Sequence, residues 1–123
     1  MDIRAIAVKA TQLSELMEDR EKIETEDIIK YYPDGITIIG ADPITLTNEK
    51  GEESSFWVYI FGEDDNKFAF SGFVLNKIFD NVLEQCDGDL DEMNKELEKG
   101  DLRVKLSTGK TKSKQQITNV KVL

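Results

Sequence analysis

A mostly β fold, a barrel of five strands with a helix between the third and fourth and an extra helix at the N-terminus, is what this sequence predicts. Three observations carry that expectation. Runs of β-branched and aromatic residues are separated by turn residues, the periodicity changes to helical at Gly72, and alternation returns in a closing hairpin.

The elements follow in order. Ile3, Ile6, Ala7, Ala10, Leu13, Leu16 and Met17 recur at intervals of three and four, so residues 2–20 form one amphipathic helix with an apolar stripe that must be covered. Thr25 is placed to N-cap a short helix through Tyr32, with Glu26 and Asp27 against the first-turn amides, and Pro33-Asp34-Gly35 ends it. Ile36 to Leu46 is the first strand, with Gly40 and Asp42-Pro43 marking a bulge or bend. Ser55 to Phe61 is the second and Lys67 to Ser71 the third, with Glu63 to Asn66 turning the chain between them. Phe73 to Gln85 reads as a buried helix, and Asp89 to Lys99 as a second helical stretch stopped at Gly100 by a left-handed cap. Leu102 to Leu106 and Ile117 to Leu123 are the last two strands, joined through Ser107 to Lys114. Residues 1–24 are thus an N-terminal helix and connector, and residues 25–123 the barrel domain. Three strands, a helical connection and a two-strand hairpin is the order of the five-stranded OB barrel. An open antiparallel sheet in an α+β domain fits the same order.

Composition narrows the chemistry. A chain of 123 residues, 39% hydrophobic and 33% charged, is of single-domain size. It has no histidine, which removes His-based acid/base catalysis and every nucleophile paired with an imidazole. The lone Cys86 cannot form an internal disulfide and reads as a packed small hydrophobe. No apolar run is long enough for a membrane span, and Met1-Asp2-Ile3-Arg4 does not open like a secretory signal, so a cytoplasmic protein is expected. No cofactor is expected, and no enzyme activity. Thr108-Gly109-Lys110-Thr111 imitates the end of a phosphate-cradling loop, but Val104 stands where its first glycine belongs. Asp87, Asp89, Asp91 and Glu98 fall at calcium-loop spacing, yet Glu92 occupies the position that needs glycine, so an acidic helix entry is the expectation.

Charge is unevenly distributed. The formal total is −9, while residues 102–123 hold six bases and no acid, leaving −15 on the rest. A basic C-terminal segment on an acidic body points to a polyanionic ligand, because attraction is local once salt screens beyond ~10 Å. Lysines on an exposed hairpin also serve to discourage edge-to-edge aggregation.

Two constellations stand out. In Ser55 to Phe61 both faces are apolar, with Trp57, Tyr59 and Phe61 on one of them. These rings are either a platform for stacking bases, at ~1–3 kcal/mol per base, or are covered by the N-terminal helix or a second subunit. Cover by a second subunit would make the protein a homo-oligomer, and a peptide groove over the rings is the third alternative. The basic segment supplies Arg103, Lys105, Lys110, Lys112 and Lys114 for phosphate contacts, with Lys67 as a further candidate.

The stretch Thr25 to Leu123, with its YPDGITIIG opening, FWVYIF strand, FAFSGFVLNKIF junction and closing KLSTGKTKSKQQITNVKV, resembles small OB-fold single-strand-binding proteins of phages infecting Gram-positive bacteria. The resemblance covers about four fifths of the chain and rests on pattern and order. The N-terminal helix departs from a minimal OB domain, and the sequence ends at Val122-Leu123 without the acidic tail typical of bacterial single-strand-binding proteins. What the resemblance implies is sequence-tolerant binding of single-stranded DNA in replication or recombination. The rival expectation is an acidic protein-interaction or inhibitor module mimicking nucleic-acid charge, motivated by the eight acids between Glu84 and Asp101.

Overall fold

Strand β2 (Ile36–Thr47) organises the molecule, because its two edges take different partners. Its first residues pair antiparallel with β5 (Arg103–Lys110), through Ile36 with Val104 and Thr37 with Arg103. From Ile38 onward it pairs antiparallel with β3 (Glu53–Phe61). A bulge between Ile38 and Gly40 interrupts that ladder, as the glycine predicted. The extra residue flips the alternation, so Ile36, Ile38 and Ala41 all reach one core while Ile39 and Ile44 reach the opposite face. A side chain at Gly40 would have to crowd Ile60 at 3.1 Å.

The computed structural model describes residues 15–47, 49–110 and 116–123. Strand β4 (Lys67–Phe70) pairs antiparallel with β3, and β6 (Gln116–Val122) with β5. A two-residue strand β1 (Glu21–Lys22) lies parallel to β4. The result is one six-stranded sheet in the order β1-β4-β3-β2-β5-β6, curled into a half-barrel. The helices are α1 (Thr25–Tyr31), α2 (Phe73–Gln85) and α3 (Leu90–Glu98), with a 3-10 turn at Gly62–Asp64 between β3 and β4.

The expected barrel-like, mostly β class therefore holds in its coarse form, and the count and placement of elements differ. Among the described residues there are six strands rather than five, and the two helical stretches expected before the closing hairpin both form and together connect β4 to β5. The sixth strand has a physical cause. β4 leaves one edge free, and Glu21 and Ile23 bond to it through backbone contacts to Asn66 and Phe68 at 3.1 and 2.9 Å. Arg20 fixes the approach by donating from Nε to the Asp65 carbonyl at 2.6 Å. The edge that would close a five-stranded barrel is thus already occupied.

The expected helix over residues 2–20 lies mostly outside the described residues. Its last part is a 3-10 turn at Glu15–Met17, not α-helix to residue 20. Leu16 and Met17 do pack on the sheet, against a cluster of Ile44, Val58, Ile60 and Phe68. Glu24, not Thr25, is the N-cap of α1, and its side chain makes no capping bond. Asp89 caps α3 by accepting from the Glu92 amide at 3.2 Å.

The main core lies between the sheet and the helices. Ile28 of α1, Phe79 of α2 and Met93 and Leu97 of α3 cover Ile36, Ile38, Tyr59, Phe61 and Val104. No helix among the described residues is long and apolar enough to cross a membrane.

Candidate nucleic-acid interface

The aromatic strand is not a platform. Trp57, Tyr59 and Phe61 are buried, 3% exposed in the first case and fully covered in the other two. Phe79 of α2 lies over the first two, with ring centroids 5.5 Å from Trp57 and 5.8 Å from Tyr59. Tyr32 stands edge-on to Phe61 at 5.3 Å. The cover expected from the N-terminal helix or a second subunit is supplied instead by helices within residues 25–98, because the linker Ser71-Gly72 turns α2 directly back over β3. The Trp57 amide bonds Ser71 Oγ at 2.9 Å and Asn76 Oδ1 at 3.3 Å, and the Trp57 carbonyl accepts from the Ser71 amide at 2.7 Å. Trp57 Nε1 donates to Asp80 at 2.9 Å. These bonds lock α2 down, so stacking of bases on the three rings is excluded by this packing.

The opposite face of β3 is also occupied. Phe56 sits edge-on to Phe70 at 5.2 Å, and Val58 and Ile60 join the cluster that Leu16 and Met17 cover. Both faces being apolar is thus explained by two cores, one on each side of the sheet.

Strand β5 alternates buried Val104 and Leu106 with exposed Arg103 and Lys105, as its sequence predicted. Its register with β6 is continuous from Val104 with Val122 to Lys110 with Gln116, and it sets Lys105 directly opposite Lys121. Arg103, Lys105 and Lys121 therefore share the outer face of the hairpin. None of the three is held by a carboxylate among the described residues, whereas Lys22, Lys67 and Lys99 are paired with Glu24, Glu21 and Glu96. Like charges directly opposite each other in a sheet repel, so this pair is a strained feature that an anion would relieve.

The other phosphate candidates fall elsewhere. Lys67 is ion-paired to Glu21 at 3.2 Å on the β1–β4 edge, with β3 and β2 between it and β5. It does not join the hairpin bases. Lys110 continues β5 as backbone, and its side chain, Lys112 and Lys114 lie outside the described residues. Thr108, Gly109 and Lys110 are strand, not the loop and helix start a phosphate cradle needs. A Cβ at Gly109 would collide with the Asn119 side chain across the hairpin.

Lys121 was legible only as one of six C-terminal bases; pairing it with Lys105 requires the register. Two aromatic side chains face solvent, Tyr31 at 63% and Phe73 at 74% exposure, so the helix expected to be buried over Phe73 to Gln85 leaves its first side chain outside the core. Lys77 stands 4.4 Å over the Phe73 ring.

Cys86 packs at the edge of the main core, and its thiol is pushed up by burial and by the Glu92, Glu96, Asp89 and Asp87 carboxylates. Among the described residues, no group of three or more acidic or cysteine side chains is placed to hold a metal ion. No protein-family model, curated protein or solved structure matches the chain.

Proposed function

We propose that the protein is a non-enzymatic, OB-like module that binds single-stranded DNA across the outer face of the β5–β6 hairpin, as the phage single-strand-binding proteins it resembles would in replication or recombination. The observation that carries this reading is the cross-strand pair Lys105 and Lys121, flanked by Arg103, unpaired on a chain of net charge −9. A protein so rich in carboxylates has counter-ions available for three bases and leaves them free on one strip. One strand of nucleic acid is narrow enough to follow that strip while keeping its phosphates from the acidic body. The OB reading is supported by β2, which holds the β3–β4 meander on one edge and the β5–β6 hairpin on the other.

Titration of labelled single-stranded and duplex oligonucleotides at two salt concentrations tests this. Single strands should bind at low salt, for all sequences alike. Changing Arg103, Lys105 and Lys121 together to Ala should weaken binding and flatten its salt dependence by ~0.7 for each lost phosphate contact. No binding at low salt would overturn the reading.

A second reading, an acidic protein-interaction module, is favoured by the exposure of Asp87, Asp89, Asp91, Glu92 and Glu98 around α3. It predicts no affinity for any oligonucleotide, and loss of a protein partner when the three aspartates are neutralised.

A further inference from the structure

Strand β6 is the terminal strand of the sheet, and its outward edge is unpaired among the described residues. The Leu123 amide donates to the Arg103 carbonyl at 2.9 Å, which makes residues 103 and 123 a hydrogen-bonded pair of the antiparallel ladder. With the register unbroken to Lys110, residues 121, 119 and 117 also bond inward. The amides and carbonyls of Thr118, Val120 and Val122 therefore point away from β5.

Apolar surface is concentrated at this same edge. Six large hydrophobic side chains are exposed among the described residues, and five of them lie here: Ile117, Val122 and Leu123 on or just after β6, and Phe73 and Val74 facing it from α2. Between α2 and β6 runs a groove of about 310 Å³, floored by Leu75 and Val120. An edge that is both unpaired and apolar is what soluble chains ordinarily blunt.

We infer that the β6 edge is covered by a second copy of this chain, β6 pairing antiparallel with β6 of the partner about a two-fold axis at Val120. The sequence of the strand selects this occupant and this register. Centred on Val120, the pairing sets Val120 against Val120, Ile117 against Leu123 and Asn119 against Lys121. Apolar thus meets apolar on both faces and each lysine meets an amide. Moving the axis to residue 119 puts Ile117 against Lys121, and moving it to residue 121 puts Lys121 against Lys121, which repel. Such self-complementarity is the signature of an isologous interface.

In the joined sheet, Arg103, Lys105 and Lys121 of both copies lie on one face across four adjacent strands, about 15 Å at the ordinary strand spacing. The dimer stands on the edge geometry alone, so it survives failure of the nucleic-acid reading. If that reading holds, an anionic strand bridging both strips should tighten the dimer.

Sedimentation velocity of the full chain over a concentration series, without nucleic acid, tests the inference. A concentration-dependent dimer is expected. Asn119 is exposed and opposite Lys121 in this register alone, so Asn119→Lys should raise the dimer dissociation constant about tenfold through two symmetric like-charge contacts, and Asn119→Glu should lower it by a similar factor. Thr118→Pro, which removes an amide that β5 does not use, should give a monomer with unchanged far-ultraviolet circular dichroism. A monomer at every soluble concentration overturns the inference, as does a dimer indifferent to all three substitutions. Hydrogen exchange supplies one more outcome: if the amides of Thr118, Val120 and Val122 gain protection only on adding single-stranded oligonucleotide, in a chain that stays monomeric, the edge belongs to nucleic acid and the inference fails.

Discussion

The side-chain amide of Asn94 takes both backbone groups of Ala41: its Oδ1 accepts from the Ala41 amide and its Nδ2 donates to the Ala41 carbonyl, each at 2.9 Å. A residue on α3 thereby behaves as a neighbouring strand toward β2. This happens just past the bulge, where β2 has parted from β5 and its edge would otherwise be bare. Ala41 is fully buried, so water cannot replace Asn94 there. The curl of the sheet is stabilised by a helix seated in the opening.

Asn94→Ala should therefore destabilise the protein by ~2–4 kcal/mol, since two buried backbone groups lose their partners at ~1–3 kcal/mol each. Asn94→Asp should not rescue it, because a carboxylate can accept from the amide but repels the carbonyl. Urea denaturation of the three proteins checks this, and a cost below about 1 kcal/mol for Asn94→Ala would show that the bonds are replaceable.

Trp57 is the single tryptophan, which makes it a reporter. Its burial beneath α2 predicts blue-shifted emission, unquenched when saturating single-stranded oligonucleotide is added. Strong quenching would show that α2 lifts off and the ring stacks after all. Asp80→Asn, which keeps an acceptor for Nε1–H without the charge, should cost less than Asp80→Ala, for which ~1–2 kcal/mol is expected.

Tyr59 presents the reverse case, a buried hydroxyl with no hydrogen-bond partner. Burial pushes its pKa far above the ordinary tyrosine value. Tyr59→Phe removes an unsatisfied group and should stabilise the fold by ~1 kcal/mol. The pH dependence has a definite sign. Above ~10 the unfolded tyrosine loses its proton while the folded one keeps it, so that contribution to stability is present below pH ~10 and lost as pH rises further. The variant should lack this part of the alkaline decline, as denaturation at pH 8 and pH 10.5 would measure.

Much of this architecture was legible in the chain. Phe73–Gln85 begins and ends where the change of period placed it, and Gly100, at φ 77°, adopts the left-handed cap expected after α3. The Gly40 irregularity was visible too. What could not be read was anything that depends on which surfaces meet. The alternation in β3 showed two apolar faces but carried no sign of which would be covered. The decisive residues, Ser71, Asn76 and Asp80, are polar and look like an ordinary solvated stretch. Likewise Glu21-Lys22 has no strand signature; it pairs because β4 offers an open edge. The Lys105–Lys121 pair exists only through register, which local pattern does not fix.

Cys86 offers a last check on the acidic end of the molecule. It sits where α2 gives way to α3, half-buried, with Asp87, Asp89, Glu92 and Glu96 around it. Burial and these carboxylates both disfavour the thiolate, and the thiolate is the species that reacts. Alkylation at neutral pH should therefore be slower than for a free cysteine, and its rise with pH should begin above the ordinary thiol value of ~8.5. Glu92→Gln with Glu96→Gln should shift the profile toward lower pH while leaving the burial component in place. A native profile that overlays free cysteine would mean that the field of these acids does not reach the sulfur. High salt should mimic the double substitution in part, since exposed carboxylates are screened while burial is not.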